Sequence, residues 1–107
     1  RDKMAIVHIT KENFREVING DKLVLVDFFA TWCGPCKMLG PIVEQISEER
    51  DDVVIAKCDI DECMDFAQEF GIMSVPTMIL FKNGKEVAKE IGLKTKDYIV
   101  NVIDSNL

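Results

Sequence analysis

No apolar run in this chain approaches the roughly 20 residues that a membrane-crossing helix requires. Its first residues also lack the basic stretch followed by a hydrophobic one that marks a secretory signal. A soluble, cytoplasmic protein with no membrane partner is therefore expected. Basic residues are in the minority, 13 Lys and Arg against 19 Asp and Glu, for a formal net charge of -6. Binding a phosphate backbone needs a basic stripe, so nucleic acid is not expected as a partner. Histidine occurs once, at His8, and four cysteines in 107 residues fall well short of a secreted disulfide scaffold, which favours a reducing compartment. Linkers, internal repeats and low-complexity segments are lacking. With 48% hydrophobic residues, the chain is sized as a single domain over residues 1–107, able to bury one core without disulfide staples or a structural metal. It opens on Arg1 rather than Met, so Arg1 to Lys3 are candidates for residues left by processing, with Met4 as an alternative start.

What is present reads as strands and helices in alternation. Ala5 to Ile9 is a short β-branched run, and Thr10 offers an N-cap to a helix with Phe14, Val17 and Ile18 on its apolar face, ending at Asn19-Gly20. Lys22 to Ala30 is almost continuously apolar, the pattern of a strand covered on both faces. After Gly34-Pro35 the spacing turns helical. Cys36, Leu39, Val43 and Ile46 form one stripe that continues past Pro41, so a kink rather than an end is expected there. Val53 to Asp59 is a second buried strand, and Cys63, Phe66, Ala67 and Phe70 form a helical face closed by Gly71. Thr77 to Phe81 and Glu86 to Ile91 flank Lys82-Asn83-Gly84-Lys85, whose Asn-Gly pair is a strong hairpin signal. Thr95 caps a last helix with Tyr98, Ile99, Val102 and Ile103 predicted to face inward. The order gives an α/β fold in which a parallel βαβ half joins an antiparallel ββα half.

Trp32-Cys33-Gly34-Pro35-Cys36-Lys37 stands where the first long strand hands over to a helix, and a C-x-x-C in that setting is a redox signature. Cys33 falls at the helix N-terminus, where unpaired N–H groups and the helix dipole favour a thiolate. It is the candidate nucleophile and is expected to be exposed. Cys36, one turn on and in the inward stripe, is the candidate resolving thiol, shielded from large partners yet near enough to Cys33 to close a ring. Gly34 permits close backbone approach, and Pro35 suits a first turn whose N–H groups lack partners anyway. The competing reading is half of a zinc site, completed by two of Cys58, Cys63 and His8. None of these forms a second C-x-x-C or a Cys-His pair.

Asp27 interrupts its apolar strand six residues before Cys33. An unpaired buried carboxylate is costly, so its pKa is expected to rise into the range useful for taking the Cys36 proton. An edge position is the alternative. Lys57 interrupts the second buried strand at similar depth, either to approach Asp27 and tune it or to snorkel on its alkyl stem. Pro76 begins a strand, and X–Pro bonds in folded proteins are mostly trans. Cys58 and Cys63 belong to apolar patterns, so packing is their default role, with a regulatory disulfide or thiol modification as the sharper alternative.

Asp27, Trp32 to Lys37, Pro41, Lys57, Val75-Pro76-Thr77, the Asn83-Gly84 turn and Gly92 together resemble the thioredoxin family in identity, order and spacing, nearly end to end. The resemblance implies the thioredoxin fold, a central five-stranded mixed sheet flanked by four helices, with Pro76 cis beside the cysteines. It further implies a protein-disulfide reductase that needs no cofactor or metal beyond a redox-active Cys33–Cys36 disulfide. Cys33 would attack a target disulfide, and Cys36 would resolve the mixed disulfide. Asp27 would help to deprotonate Cys36 through water, and Lys57 would assist by pairing with Asp27. The Val75 backbone would hold an extended piece of target, while Trp32, Gly34, Pro35, the Gly71 to Ser74 segment with Met73, and Gly92-Leu93 would shape the docking surface around Pro76. The implied partners are a thioredoxin reductase, NADPH- or ferredoxin-linked, and disulfide-containing proteins, met by a monomer. Two positions depart from the common pattern. Phe29 stands where many members have Trp, which removes an indole N–H, and Leu93 stands where a small residue is usual, which narrows the groove. A binding module that uses the same groove with incidental redox activity is the second reading.

Overall fold

Leu23 to Phe29 form the strand on which the rest is laid. All of its residues but Phe29 are buried, and an unbroken apolar run needs cover on both faces. Residues 6–107 are described in a computed structural model, so the readings of Arg1 to Met4, and of Ala5 as the start of a strand, lie outside the described residues. The strands are β1 (Val7–His8), β2 (Leu23–Phe29), β3 (Val53–Asp59), β4 (Thr77–Lys82) and β5 (Lys85–Ile91), in the sheet order β1-β3-β2-β4-β5. β3 runs parallel to both β1 and β2, whereas β4 is antiparallel to β2 and β5 to β4. The helices are α1 (Phe14–Ile18), α2 (Gly34–Glu49), α3 (Met64–Glu69) and α4 (Lys96–Asp104). This is the five-stranded mixed sheet with four helices that the resemblance implied.

Alternation along the strands sorts the core into two layers. Val24, Val26 and Phe28 of β2 pack with Phe14 and Ile18 of α1 and Phe66 of α3. Leu23 and Leu25 pack on the other face with Leu39, Val43 and Ile46 of α2 and Ile99 and Ile103 of α4. The same period sends Asp27 to the α2 face, while Cys58 of β3 joins the α1 and α3 layer. β1 is two residues long, and the outer strand β5 carries Lys85, Glu86, Lys89 and Glu90.

Local chemistry explains where the elements stop. α3 ends in a paired C-terminal cap, with Ile72 N–H donating to the Ala67 carbonyl and Gly71 N–H to that of Gln68; Gly71 takes the φ of +67° that this cap requires. In the β4–β5 turn both central residues have positive φ, 54° at Asn83 and 80° at Gly84, the geometry that matches strand twist. α2 continues through Pro41 to Glu49. Two expectations need correction. Thr10 does not cap α1 directly: its hydroxyl accepts from Glu12 and Asn13 N–H and closes the turn before the helix, which begins after Asn13. Tyr98 is exposed rather than inward, because its hydroxyl is drawn to Glu90 at 2.7 Å; Val102 is half-buried, and Ile99 and Ile103 carry the packing.

The cap on α4 is as expected, with Thr95 Oγ1 accepting from Tyr98 N–H at 3.1 Å. Thr95→Ala removes that acceptor and is expected to cost about 1 kcal/mol, read as a lower urea midpoint with an unchanged slope.

Candidate active site

The junction between β2 and α2 presents the two cysteines. Cys33 is the N-cap of α2 in an extended conformation, and its sulfur accepts the Cys36 N–H at 3.2 Å. Pro35 sits in the first turn, where its missing N–H costs nothing. Cys33 and Cys36 are joined as a disulfide, with Cα atoms 5.3 Å apart, inside the range that such a bond spans. The expected contrast in exposure is not found. Cys33 is 6% exposed and Cys36 5%, because the Val75 segment lies against Cys33, whose sulfur is 3.7 Å from the Val75 carbonyl oxygen. The two sulfurs differ in their surroundings instead. Cys33 meets this loop, while Cys36 lines an open crevice of about 360 Å³ with Phe29, Gly40, Pro41 and Lys57.

Asp27 is fully buried on that same α2 face, on a strand flanked by β3 and β4, so it is not at an edge. Neither carboxylate oxygen has a hydrogen-bond donor among the described residues. Burial lifts its pKa to about 6, and the nearby charge of Lys57 pulls part of the way back. Lys57 is the register partner of Asp27 in the parallel β2–β3 pair. It makes no ion pair with Asp27 within 4 Å among the described residues. Its ammonium lies 5.0 Å from the centroid of the Phe29 ring and 3.4 Å from where a Cβ on Gly40 would stand. Both readings of Lys57 therefore hold in part: the stem is half-buried, and the charge reaches Asp27 through space.

Of the expected docking residues, Val75 lies beside Cys33. The Val75–Pro76 bond is cis, contrary to the expectation from X–Pro bonds in general and in keeping with the resemblance. Thr77 Oγ1 donates to the Ser74 carbonyl at 2.8 Å, and Gly92 N–H, with φ at +92°, donates to that of Pro76 at 2.9 Å. The loop beside Cys33 is thus tied to both β4 and the end of β5. Met73 is 96% exposed and Trp32 68%; Gly34, Pro35, Ser74 and Leu93 are also exposed. Three participants were missed in the sequence. Asp61 accepts the Trp32 indole N–H at 3.1 Å; Ile60 packs against the cysteine pair and donates its N–H to Phe29; Ile91 leaves the end of β5 exposed beside Gly92. Only Ile91 had a signal, an apolar residue directly before a glycine at a strand end.

Cys58 and Cys63 are buried on the opposite face of the sheet, and burial pushes both thiols up. Among the described residues, no group of three or more His, Cys, Asp or Glu side chains is placed to hold a metal ion.

The raised pKa of Asp27 fixes a pH dependence. The folded carboxyl holds its proton more tightly than the unfolded one, so its contribution to stability is full below about pH 4 and is lost as pH rises through about 6. A shift of about two units corresponds to roughly 3 kcal/mol. Asp27→Asn, which cannot ionise, is therefore expected to exceed the parent in stability by roughly 3 kcal/mol at about pH 8 and to lack that decline. Urea titrations at about pH 4 and 8 measure this; equal stabilities at the higher pH would contradict it.

Comparison with known proteins agrees with this geometry. The thioredoxin family model matches residues 5–105. The chain is 50% identical over 98 residues to a thioredoxin of Chlamydia muridarum, covering 92% of this chain and 95% of that one. It is 47% identical over 96 residues to a thioredoxin of Alicyclobacillus acidocaldarius, covering 89% and 91%. Among solved structures, Malassezia sympodialis thioredoxin superposes with a TM-score of 0.89 at 39% identity, covering 98% of this chain and 93% of that one. The chain belongs to the thioredoxin family, whose members are protein-disulfide oxidoreductases, and Cys33 and Cys36 are its exchanging pair.

Proposed function

We propose that this chain is a single-domain, monomeric, cytoplasmic carrier that takes electrons from an NADPH- or ferredoxin-linked reductase and delivers them to protein disulfides. The observation that carries the reading is the placement of the two sulfurs, one beside the Val75 carbonyl and the other in a crevice that it shares with Lys57, the cation that acts on the buried Asp27. In the reduced form the Cys33 thiolate, favoured at the start of α2, attacks one sulfur of the target. The target S–S bond breaks, a mixed disulfide forms, and the leaving sulfur departs as a thiolate. Cys36 gives its proton toward Asp27 through water and attacks Cys33. That step releases the second target thiolate and leaves the Cys33–Cys36 disulfide, so two electrons have moved to the target and no bound cofactor is needed.

Asp27 suits the base role because burial places its pKa at about 6, close to the pH at which it must both take and return a proton. Lys57 keeps it from rising further. The half-buried Val75 backbone beside Cys33 is the docking edge for an extended segment. Trp32, Gly34, Pro35, Met73, Ser74, Pro76, Gly92 and Leu93 shape the surface around it, and the bulk of Leu93 favours targets with a small side chain opposite.

The two sulfurs are tested separately. Cys36→Ser is expected to accumulate a mixed disulfide with a target protein, seen by mass under non-reducing conditions. Cys33→Ser is expected to give neither adduct nor turnover, and an adduct on Cys33→Ser would reverse the assignment. Asp27→Asn is expected to slow release of the target at about pH 7 by about tenfold or more while leaving the first attack nearly unchanged, measured in single-turnover mixing.

A further inference from the structure

Cys58 and Cys63 take no part in this exchange. Cys58 lies on the α1 and α3 face of β3, and Cys63 is the residue from which α3 starts. Both are free thiols, and each perturbs the other's ionisation through a side-chain contact. We propose that they are a second dithiol, oxidised by a peroxide to an intramolecular disulfide that changes how Trp32 is held.

Access favours Cys63 as the first sulfur to react. It lines a cavity of about 330 Å³ together with Lys11, Phe14, Glu62 and Phe66, whereas Cys58 has no exposed surface. The Cys63 thiolate attacks one peroxide oxygen, the O–O bond breaks, and the other oxygen leaves as water after taking a proton, so Cys63 becomes a sulfenic acid. The Cys58 sulfur then attacks that of Cys63. The S–O bond breaks, and the departing hydroxide takes the Cys58 proton and leaves as a second water. Two thiols and one peroxide thus give one disulfide and two waters. Burial pushes both thiols up, so this oxidation is slower than that of an exposed thiolate.

The bond would bracket the segment 59–62, which reaches across to the Cys33 site. Ile60 packs both against the Cys33–Cys36 cluster and against the core layer that contains Cys58 and Cys63, and it donates to the Phe29 carbonyl at 2.9 Å. Asp61 holds the indole of Trp32, the one tryptophan of the chain. The Asp59 carbonyl already accepts Cys63 N–H at 3.0 Å, so drawing the Cys63 sulfur onto Cys58 repositions a loop with little slack. Trp32 emission therefore reports on it.

The test uses the double variant Cys33→Ser/Cys36→Ser, which has no exchanging pair, so its outcome is independent of the function proposed above. Reduced protein is exposed to hydrogen peroxide, unfolded in an alkylating agent and weighed. The expected result is joint loss of both alkylation sites, a monomer mass two hydrogens lower, and a change in Trp32 emission over the same time course that dithiothreitol reverses. Adding Cys58→Ser is expected to abolish the reversible change. Should the double variant not fold, the parent chain with Cys33–Cys36 kept oxidised has the same two free thiols and serves instead. Full alkylation after peroxide, oxygen added at Cys63 with Cys58 still alkylated, a disulfide between chains, or an internal disulfide with unchanged emission would each overturn the proposal.

Discussion

The cover on both faces of β2 is the constraint from which the site follows. Two layers of helices hold the strand, and only Ala30, Thr31 and Trp32 separate its end from the N-cap of α2. The cysteine pair thus begins where a rigid element ends, and its position is set by the core rather than by a mobile loop. The same cover denies Asp27 a hydrogen-bond donor among the described residues. One packing arrangement places the sulfurs and retunes a buried acid on the same strand that leads to them.

Lys57 acts on Asp27 through space rather than in contact, the arrangement that the proposed proton transfer would call for. A direct ion pair would hold Asp27 ionised, as charges in contact do in a poorly solvated interior. The ammonium is instead retained near the Phe29 ring and against Gly40, and burial remains the larger influence on the acid. Phe29 bears on this balance as a flat apolar face that steadies a cation without offering it an anion.

Much of this was legible in the sequence where few alternatives compete. β3 spans Val53–Asp59 as read, because a buried apolar run of that length has little other use, and Asn83-Gly84 forms the turn because both residues accept positive φ. Legibility failed where the decisive contact comes from a distant segment. Cys33 is shielded by Val75, 42 positions away, so a helix N-terminus read alone looks open. Tyr98 sits at the rim of its stripe, where a hydroxyl with Glu90 in reach outweighs the ring. Nothing local distinguishes Asp61 from its acidic neighbours, since its role exists only once Trp32 is beside it. The cis bond before Pro76 came from the resemblance and not from backbone energetics, which favour trans.

The ends of the sheet complement the loop at its centre. An exposed sheet edge offers unpaired backbone groups to any extended chain, and a protein meant to grip extended segments by their backbone runs the risk of gripping them everywhere. Here one flank is only the two residues of β1, and the other, β5, is lined with lysine and glutamate side chains. On the docking mode proposed above, backbone capture would be confined to the few residues around Val75, beside the Cys33 sulfur. A peptide held in that mode would settle where it can be reduced, and the guarded edges would leave misplaced encounters little to hold.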